Sequence, residues 1–373
     1  MTGKANNTVR ILFENVDGFT IPDKQQKTNK NKYKQPYLNN LFSRLEIDIF
    51  GGTETRQQFD LLPHSQSLST QLGLHDGTKC QTSHNIHERF SKIQQGGTCM
   101  VTNEEITQYI TSQGADEEGL GRWSWMRLAG SGAATRIITA YIPCVTRKKA
   151  ITATIAQQKR YWKLQGEHQC PRKLLRRDLI AKMRQWREEG DKLILVLDGN
   201  ENMKNGQLAR MLRTPDLDMK DAVKIRTGTD GPATFVRGSR QIDAAWVTPD
   251  IDIGAACFLP FFFGVGDHRA IMLDIPQHSL IGGNIHQISR PNTRRLQCNR
   301  SEVQQKYTND LEIYCAKHNI QKKIYSLFTP FFPATERTTL AMEAIDKVLT
   351  EGMISAEKKV ARLELVRYHF LTN

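Results

Sequence analysis

Seven short apolar runs rich in β-branched residues, each closed by turn-forming residues, set the narrowest limits on what this chain can fold into. They are Val9–Phe13, Ile47–Phe50, Cys99–Thr102, Arg136–Tyr141, Leu193–Leu197, Ile242–Val247 and Ala270–Ile275. Each has the length of a strand, and runs that are apolar nearly throughout suit strands covered on both faces. Helical stretches lie between them. Pro36–Leu45 spaces Leu38, Leu41, Phe42 and Leu45 at helical intervals. Lys173–Arg187 puts Leu175, Leu179, Met183 and Trp186 on one face, with Arg176, Arg177, Arg184 and Arg187 elsewhere. Strands mixed with helices, and no internal repeat, predict an α/β or α+β architecture.

The pattern changes after Ile275. Residues 277–300 are rich in Gly, Asn, Gln and Ser, lack periodicity and contain Pro291, which predicts a linker. Ser301 and Gln304 then form a capping-box pattern ahead of Val303, Tyr307, Leu311 and Tyr314. A second amphipathic stretch runs from about Thr335 to Leu363. The expected organisation is one domain over 1–276, a linker over 277–300, and a helical appendix over 301–373.

Polar residues cluster where the strands end. Val9–Phe13 runs into Glu14, Asn15 and Asp17; Ile47–Phe50 into Glu54; Leu193–Leu197 into Asp198 and Asn200. Asp243 follows Ile242, Tyr141 closes its own run, and Asp267-His268 precedes the last. One Asp after a strand is ordinarily a turn former or helix cap, but five such sites in one domain weaken that reading. Strand C-termini are where α/β sheets place ligands. Glu54, Asp17 and Asp267 are hard oxygen donors suited to Mg²⁺ or Mn²⁺. His268 is a proton carrier or phosphate partner, Asn15 and Asn200 are amides able to orient water or a phosphate oxygen, and Tyr141 offers a phenolic donor. A carboxylate-held metal beside a histidine and amides fits hydrolysis of a phosphate ester.

Charge narrows the substrate. Lys and Arg number 52 against 39 acids, a formal net of +13. Arg147–Lys192 alone holds fourteen basic and five acidic residues, a net of +9. Such an excess suggests a polyanionic partner; the plainer reading is a solvated helix face. Within it Tyr161 and Trp162 interleave with Lys159, Arg160 and Lys163, as stacking groups or as packing. The most apolar stretch, Ala255–Val265, is broken by Pro260 and is too short to span a bilayer, which takes about 20 residues. No apolar signal-peptide region follows Met1. The seven cysteines form no CxxC pair, so neither a disulfide framework nor a zinc ribbon is expected. Cys80, His84 and His87 lack a fourth ligand nearby and read as a polar loop rather than a zinc site.

Taken in order, NVDGF, GGTETRQ, TAYIPC, LVLDGNEN, RQIDAAWV and GVGDHRAI resemble the endonuclease/exonuclease/phosphatase superfamily, the DNase I-like proteins, over Val9–Ile275. GGTETR and the tail beginning NTRRLQCN look more like the endonuclease region of a retrotransposon polyprotein than like a repair enzyme. The resemblance implies a four-layer sandwich of two mixed β-sheets flanked by helices. It also implies an Mg²⁺-dependent enzyme that nicks double-stranded DNA, with the element's RNA as a further partner and the nucleus as its place of work. By position it gives Asn15, Asp17, Glu54 and Asp267 to the metal, and Tyr141 to a phosphate contact. Asp198 would position or activate water with Asn200 as its amide partner, Asp243 would pair with His268, and His268 would face the scissile phosphate. Arg237, Arg240 and Arg269, close to these blocks, are candidate phosphate clamps, with Arg147, Lys148 and Lys149 as further nucleic-acid contacts. Trp246 either lines the site or belongs to the core.

Three positions depart from the family pattern: Leu197 and Gly266 stand where Gly and Ser are common, and Glu14 where an apolar residue or Trp is usual. Glu14 reads as a solvent-facing strand residue, or as an extra carboxylate that weakens catalysis. The same scaffold serves phosphatases and abasic-site nucleases, and a non-catalytic nucleic-acid-binding remnant is the alternative from another class.

Overall fold

The computed structural model describes residues 3–19, 34–63, 66–74, 78–88, 94–145, 150–285, 300–327 and 336–370. They fall into two units, Met1–Gln287 and Ile288–Asn373. The first is built on two six-stranded sheets. One runs β11 (Ala255–Phe258), β12 (Ile271–Pro276), β1 (Thr8–Asn15), β2 (Ile49–Thr53), β4 (Thr98–Thr102), β3 (Cys80–Ser83). The other runs β5 (Ile110–Ala115), β6 (Trp123–Ala129), β7 (Ala134–Tyr141), β8 (Lys192–Asp198), β10 (Asp243–Val247), β9 (Lys220–Asp221). Each has one parallel pair at its centre, β1 with β2 and β7 with β8, and antiparallel pairing elsewhere.

All seven predicted runs are strands, because their residues are buried on both faces. The inner faces meet in a core of Val9, Ile11, Phe13 and Ile49 from one sheet and Met126, Ile137, Ile194 and Val196 from the other. Helix α1 (Lys34–Leu45) lays Leu38, Leu41, Phe42 and Leu45 on the outer face of the first sheet, against Leu12 and Phe50. Further along the chain come α2 (Leu68–Gln71), α3 (Thr154–Leu164) and α4 (Pro171–Glu188). Leu175, Leu179, Met183 and Trp186 of α4 cover the outer face of the second sheet, against Ile138, Leu195 and Leu197. The fold is thus the four-layer sandwich expected. Strand β2 extends beyond its apolar run through Gly51 and Gly52; a Cβ at Gly51 would collide with Thr139 of the facing sheet, so the glycine lets the sheets close here.

The basic segment behaves differently from a solvated face. Arg172 and Arg176 of α4 are buried and both reach Glu201, at 3.4 and 2.9 Å. Arg184 pairs with Asp216, and Arg187 with Asp250 at 3.0 Å. Part of this charge is therefore matched inside the fold, while Lys159, Lys163, Lys173 and Arg177 stay exposed. Trp162 and Trp246 are buried, Trp246 on the helix-covered face of its sheet, which places it in the core and away from the site.

Three short helices complete this unit, α5 (Gln207–Leu212), α6 (Ala222–Thr227) and α7 (Gln277–Ile281). Leu280 and Ile281 of α7 join the core between the sheets. Most of the expected linker, 286–299, lies outside the described residues. The second unit holds α8 (Ser301–Lys317), α9 (Ile320–Leu327) and α10 (Glu336–Phe370). The capping box is not formed: Arg300, not Ser301, is the residue before the helix, and it makes no side-chain capping bond. Lys359 reaches Asp310 at 3.2 Å, joining α10 to α8. No helix among the described residues is long and apolar enough to cross a membrane.

Candidate active site

The two parallel pairs point their C-terminal ends the same way, and the site forms where those ends meet across the sandwich. Asn15 is level with Thr53 in one sheet, and Tyr141 with Asp198 in the other. Strand β10 starts beside Asp198, so Asp243 faces it in register. Four residues here, Asp17, Glu54, Arg56 and Asn200, hold positive φ between 45° and 54° without being glycine. Backbone strain of this kind concentrates at functional sites.

Side chains tie the sheets together. Asn15 donates from Nδ2 to Asp198 at 2.9 Å and to Glu54 at 3.3 Å, and its Oδ1 accepts the N–H of Asp17 at 3.0 Å. The Tyr141 hydroxyl donates to Glu54 at 2.9 Å. Asn200 donates its backbone N–H and its amide to the two oxygens of Asp198, at 3.0 and 3.1 Å, and its amide also to the Ile142 carbonyl at 3.0 Å. Arg172 fixes the same corner from behind, donating to the carbonyls of Pro143 at 2.9 Å and Asn200 at 3.1 Å.

On the other flank, His268 Nδ1 lies 2.7 Å from Asp243 Oδ2. Thr234 Oγ1 accepts the N–H groups of Ile242 and Asp243, and the Phe235 ring packs on His268 with centroids 5.2 Å apart. Asp267 lies 3.9 Å from His268 Nε2 and 3.6 Å from Arg237. Burial alone would lower the His268 pKa, but the charge and hydrogen bond of Asp243, with Asp198 and Asp267 near, raise it to about 10. Burial, then the charge of Asp243, pushes Asp198 well above the carboxylate range. Burial also pushes Glu54 up, yet Arg56 and the donors Tyr141 and Asn15 outweigh it and hold the carboxyl below its usual value. Tyr141 is held neutral, first by burial and then by the charge of Glu54.

Arg56, not anticipated from the sequence although it closes the GGTETR block, bridges Asp17 at 2.5 Å and Glu54 at 2.8 Å. Lys34 adds a second cation, donating to the carbonyls of Val16 at 2.7 Å and Asp17 at 2.9 Å. Glu14 is not solvent-facing. It is wholly buried, because β1 is a central strand covered on both sides, and burial raises its pKa to about 7 against the pull of two backbone N–H bonds. Arg269 turns inward, donating to Ala233 and Leu259 carbonyls and covering the Phe261 ring at 4.1 Å. Arg240 is exposed, while Arg147, Lys148 and Lys149 lie outside the described residues. His84 meets Asp60 and His87 meets the Glu118 carbonyl.

The donors suit a hard divalent cation. Glu54 and Asp17 converge on one point, marked by the Arg56 nitrogen they share. Asp198, Asp243 and His268, all buried, bring ligand-capable atoms within 4.8 Å of one another. Asp243 Oδ1 is buried with no hydrogen-bond partner among the described residues, as expected where a cation or water supplies the missing partner. Oxygen-rich sets of this kind favour Mg²⁺ or Mn²⁺ over softer metals.

No family model and no curated protein matches the chain. Solved structures do. The human Nocturnin catalytic domain with bound sulfate anion is 13% identical, over 73% of this chain and 95% of that one, with a TM-score of 0.50. An endonuclease/exonuclease/phosphatase from Bacteroides vulgatus matches at 14% identity, 72% and 98% coverage and a TM-score of 0.48. The 3′ phosphatase NExo from Neisseria, bound to product DNA hairpin, matches at 16%, 72% and 99%, and 0.47. The two mixed sheets and their helical layers are thus the endonuclease/exonuclease/phosphatase, or DNase I-like, fold.

Proposed function

We propose that the chain is a metal-dependent phosphodiesterase that nicks double-stranded DNA. The observation carrying this reading is the Asn15–Asp198–Asn200 and Asp243–His268 constellation at the strand ends, beside the carboxylates Glu54 and Asp17. Glu54 and Asp17, with Asn15 and Asp267 near, would hold Mg²⁺ or Mn²⁺, and the cation would neutralise charge growing on the phosphoryl oxygens. Asp198, steered by two amides, would take up the proton of the attacking water once the charges of His268 and the bound cation favour its ionised form. Asp243 fixes the ring of His268 so that Nε2 is turned toward the phosphate, and the raised pKa keeps the ring cationic at neutral pH. Tyr141 orients Glu54. Arg237 and Arg240 are exposed and suited to flanking phosphates, with Arg147, Lys148 and Lys149 as further contacts.

The finer reading is the endonuclease of a retrotransposon-like element, acting in the nucleus. On that reading the catalytic domain is 1–276, the helices of 301–373 lead toward a reverse transcriptase region, and the nicked strand primes copying of the element's RNA. Its support is the ordered set of motifs, above all GGTETR, and the helical tail. Nicking of supercoiled plasmid with Mg²⁺, with EDTA, and by Asp198→Ala and His268→Ala tests the core claim. Metal-dependent nicking lost in both variants is expected; a folded protein that binds DNA and never nicks it overturns the claim in favour of a binding remnant.

A further inference from the structure

The loop between β11 and Asp267 carries features that hydrolysis does not use. Phe261–Phe263 forms one tight turn between Pro260 and Gly264, and Phe262 at its tip is 77% exposed. The backbone beneath is held from several sides. Tyr37 of α1 donates to the carbonyls of Phe262 and Phe263, both at 3.4 Å. Glu14 Oε1 accepts the N–H groups of Val265 and Gly266 at 2.6 and 2.8 Å, while its Oε2 has no partner among the described residues. The loop lies directly on β1: a Cβ at Gly264 would strike the Glu14 carboxylate, and one at Gly266 the Asn15 carbonyl. The ring of Phe262 is therefore presented outward on a braced frame beside the catalytic residues.

Arginines stand close to this loop, and Asp267 at its foot pairs with one of them, Arg237, at 3.6 Å. Arg44 lies over the Phe263 ring at 5.4 Å and Arg237 over the Phe235 ring at 5.3 Å. Arg269, against Phe261 and bonded to the Ala233 carbonyl, joins this loop to the one carrying Val236, 53% exposed, and Arg237. An exposed aromatic ring, Phe262 against Phe263 with centroids 4.9 Å apart and Arg44 over the second ring, complements a nucleic-acid strand, in which phosphates alternate with flat apolar bases.

We propose that Phe262 is a nucleobase-stacking contact, preformed by the Glu14 brace, for an unpaired nucleotide next to the cleaved phosphodiester. A base stacked inside an intact duplex offers no free face, so the ligand is a strand carrying an unpaired nucleotide, at a flap or at a bubble opened in the duplex beside the cleaved bond. This rests on the phosphodiesterase reading and names the substrate class of the same site.

The test is fluorescence anisotropy of the full chain with labelled DNA as single strand, as duplex, as duplex with an unpaired flap, and as flap lacking its bases. Phe262→Ala is expected to weaken single-strand and flap binding by about 5- to 100-fold, the usual worth of one stacked base, and to leave duplex binding unchanged. Phe262→Trp should retain the affinity, and wild type should fall to the Phe262→Ala level on the base-free flap. Glu14→Gln, which keeps an acceptor for both N–H groups, should bind as wild type, and Glu14→Leu as Phe262→Ala. The Phe262 ring touches Phe263 but is 77% exposed and lies outside the buried core, so Phe262→Ala remains informative if Glu14→Leu fails to fold. Equal flap affinity in Phe262→Ala and wild type overturns the proposal alone, and so does Phe262-dependent sedimentation with phosphatidylserine vesicles without an effect on DNA. Wild type that binds no DNA of any form overturns the phosphodiesterase reading beneath it.

Discussion

The two ends of the sandwich handle buried charge in opposite ways. At the end away from the site, the buried acids Asp274 and Asp191 have well-placed cations. Arg10 makes two 2.7 Å bonds to Asp274 and a third to the Leu45 carbonyl at 2.8 Å. Asp191 takes Arg127 at 2.9 Å and Arg136 at 2.7 Å, and the Arg136 guanidinium lies over the adjoining rings of Trp125 and Trp186, 4.6 Å from each. At the site end, Glu14, Asp17, Glu54, Asp198, Asp243 and Asp267 outnumber the described cations among them, Arg56, Lys34, His268 and the exposed Arg237. One end is satisfied and serves stability; the other is left short of positive charge, and that shortfall is what a metal ion and a phosphate proton carrier would use.

The sharpest way to break the comparison is to neutralise one acid at the site end. Asp198→Asn should lower phosphodiester hydrolysis by about 10²–10⁴-fold. Because burial and Asp243 already disfavour its charge, the melting temperature should stay or rise. A fall in both would mean that Asp198 supports the fold as the acids at the other end do.

Arg10→Met is the mirror experiment. It strands the buried Asp274 and should cost about 3–5 kcal/mol of stability by chemical denaturation, with hydrolysis per folded molecule unchanged. Intermediate in size is the response to metal. Saturating Mg²⁺ should stabilise wild type by about 2–3 kcal/mol if present at roughly a hundred times its dissociation constant, and Glu54→Gln markedly less. Equal stabilisation of both proteins would remove Glu54 from the metal site.

The smallest expected effect concerns thiols. Burial raises Cys80 to about 11 and lifts Cys99 higher still, so both stay protonated up to moderately alkaline pH. A thiol reagent at pH 8 should label the exposed Cys170 first and reach Cys99 only on unfolding. Early labelling of Cys99 would mean that the outer layer over the first sheet opens readily.

The central strands were legible in the sequence because burial on both faces leaves a continuous apolar run. Strands β3 and β5 were not: CQTS and ITSQGA are polar, and each lies at an edge with one neighbouring strand. Strand β6 interrupts its pattern with Ser124 and Arg127, whose partners, Thr98 and Asp191, are remote in sequence. The same limit governs the site. Asp198, Asp243 and His268 stand out as polar residues at strand ends, but nothing local distinguishes Arg56 as a bridge or Arg172 as a brace. Glu14 was misread because alternation implies a wet face only for a strand that has one.

The bonds from Asn15 to Asp198 and from Tyr141 to Glu54 each run from one sheet to the other, at the same end where Gly51 lets the layers close. Neither half of the chain contains a working set by itself. Their alignment depends on β1, β2, β7 and β8 having paired and on the two inner faces having docked, which are late, long-range events in assembly. A half-folded chain would therefore lack the assembled site. On the proposed phosphodiesterase reading, turnover would report complete maturation, brought about by the same closure that expels water from the core.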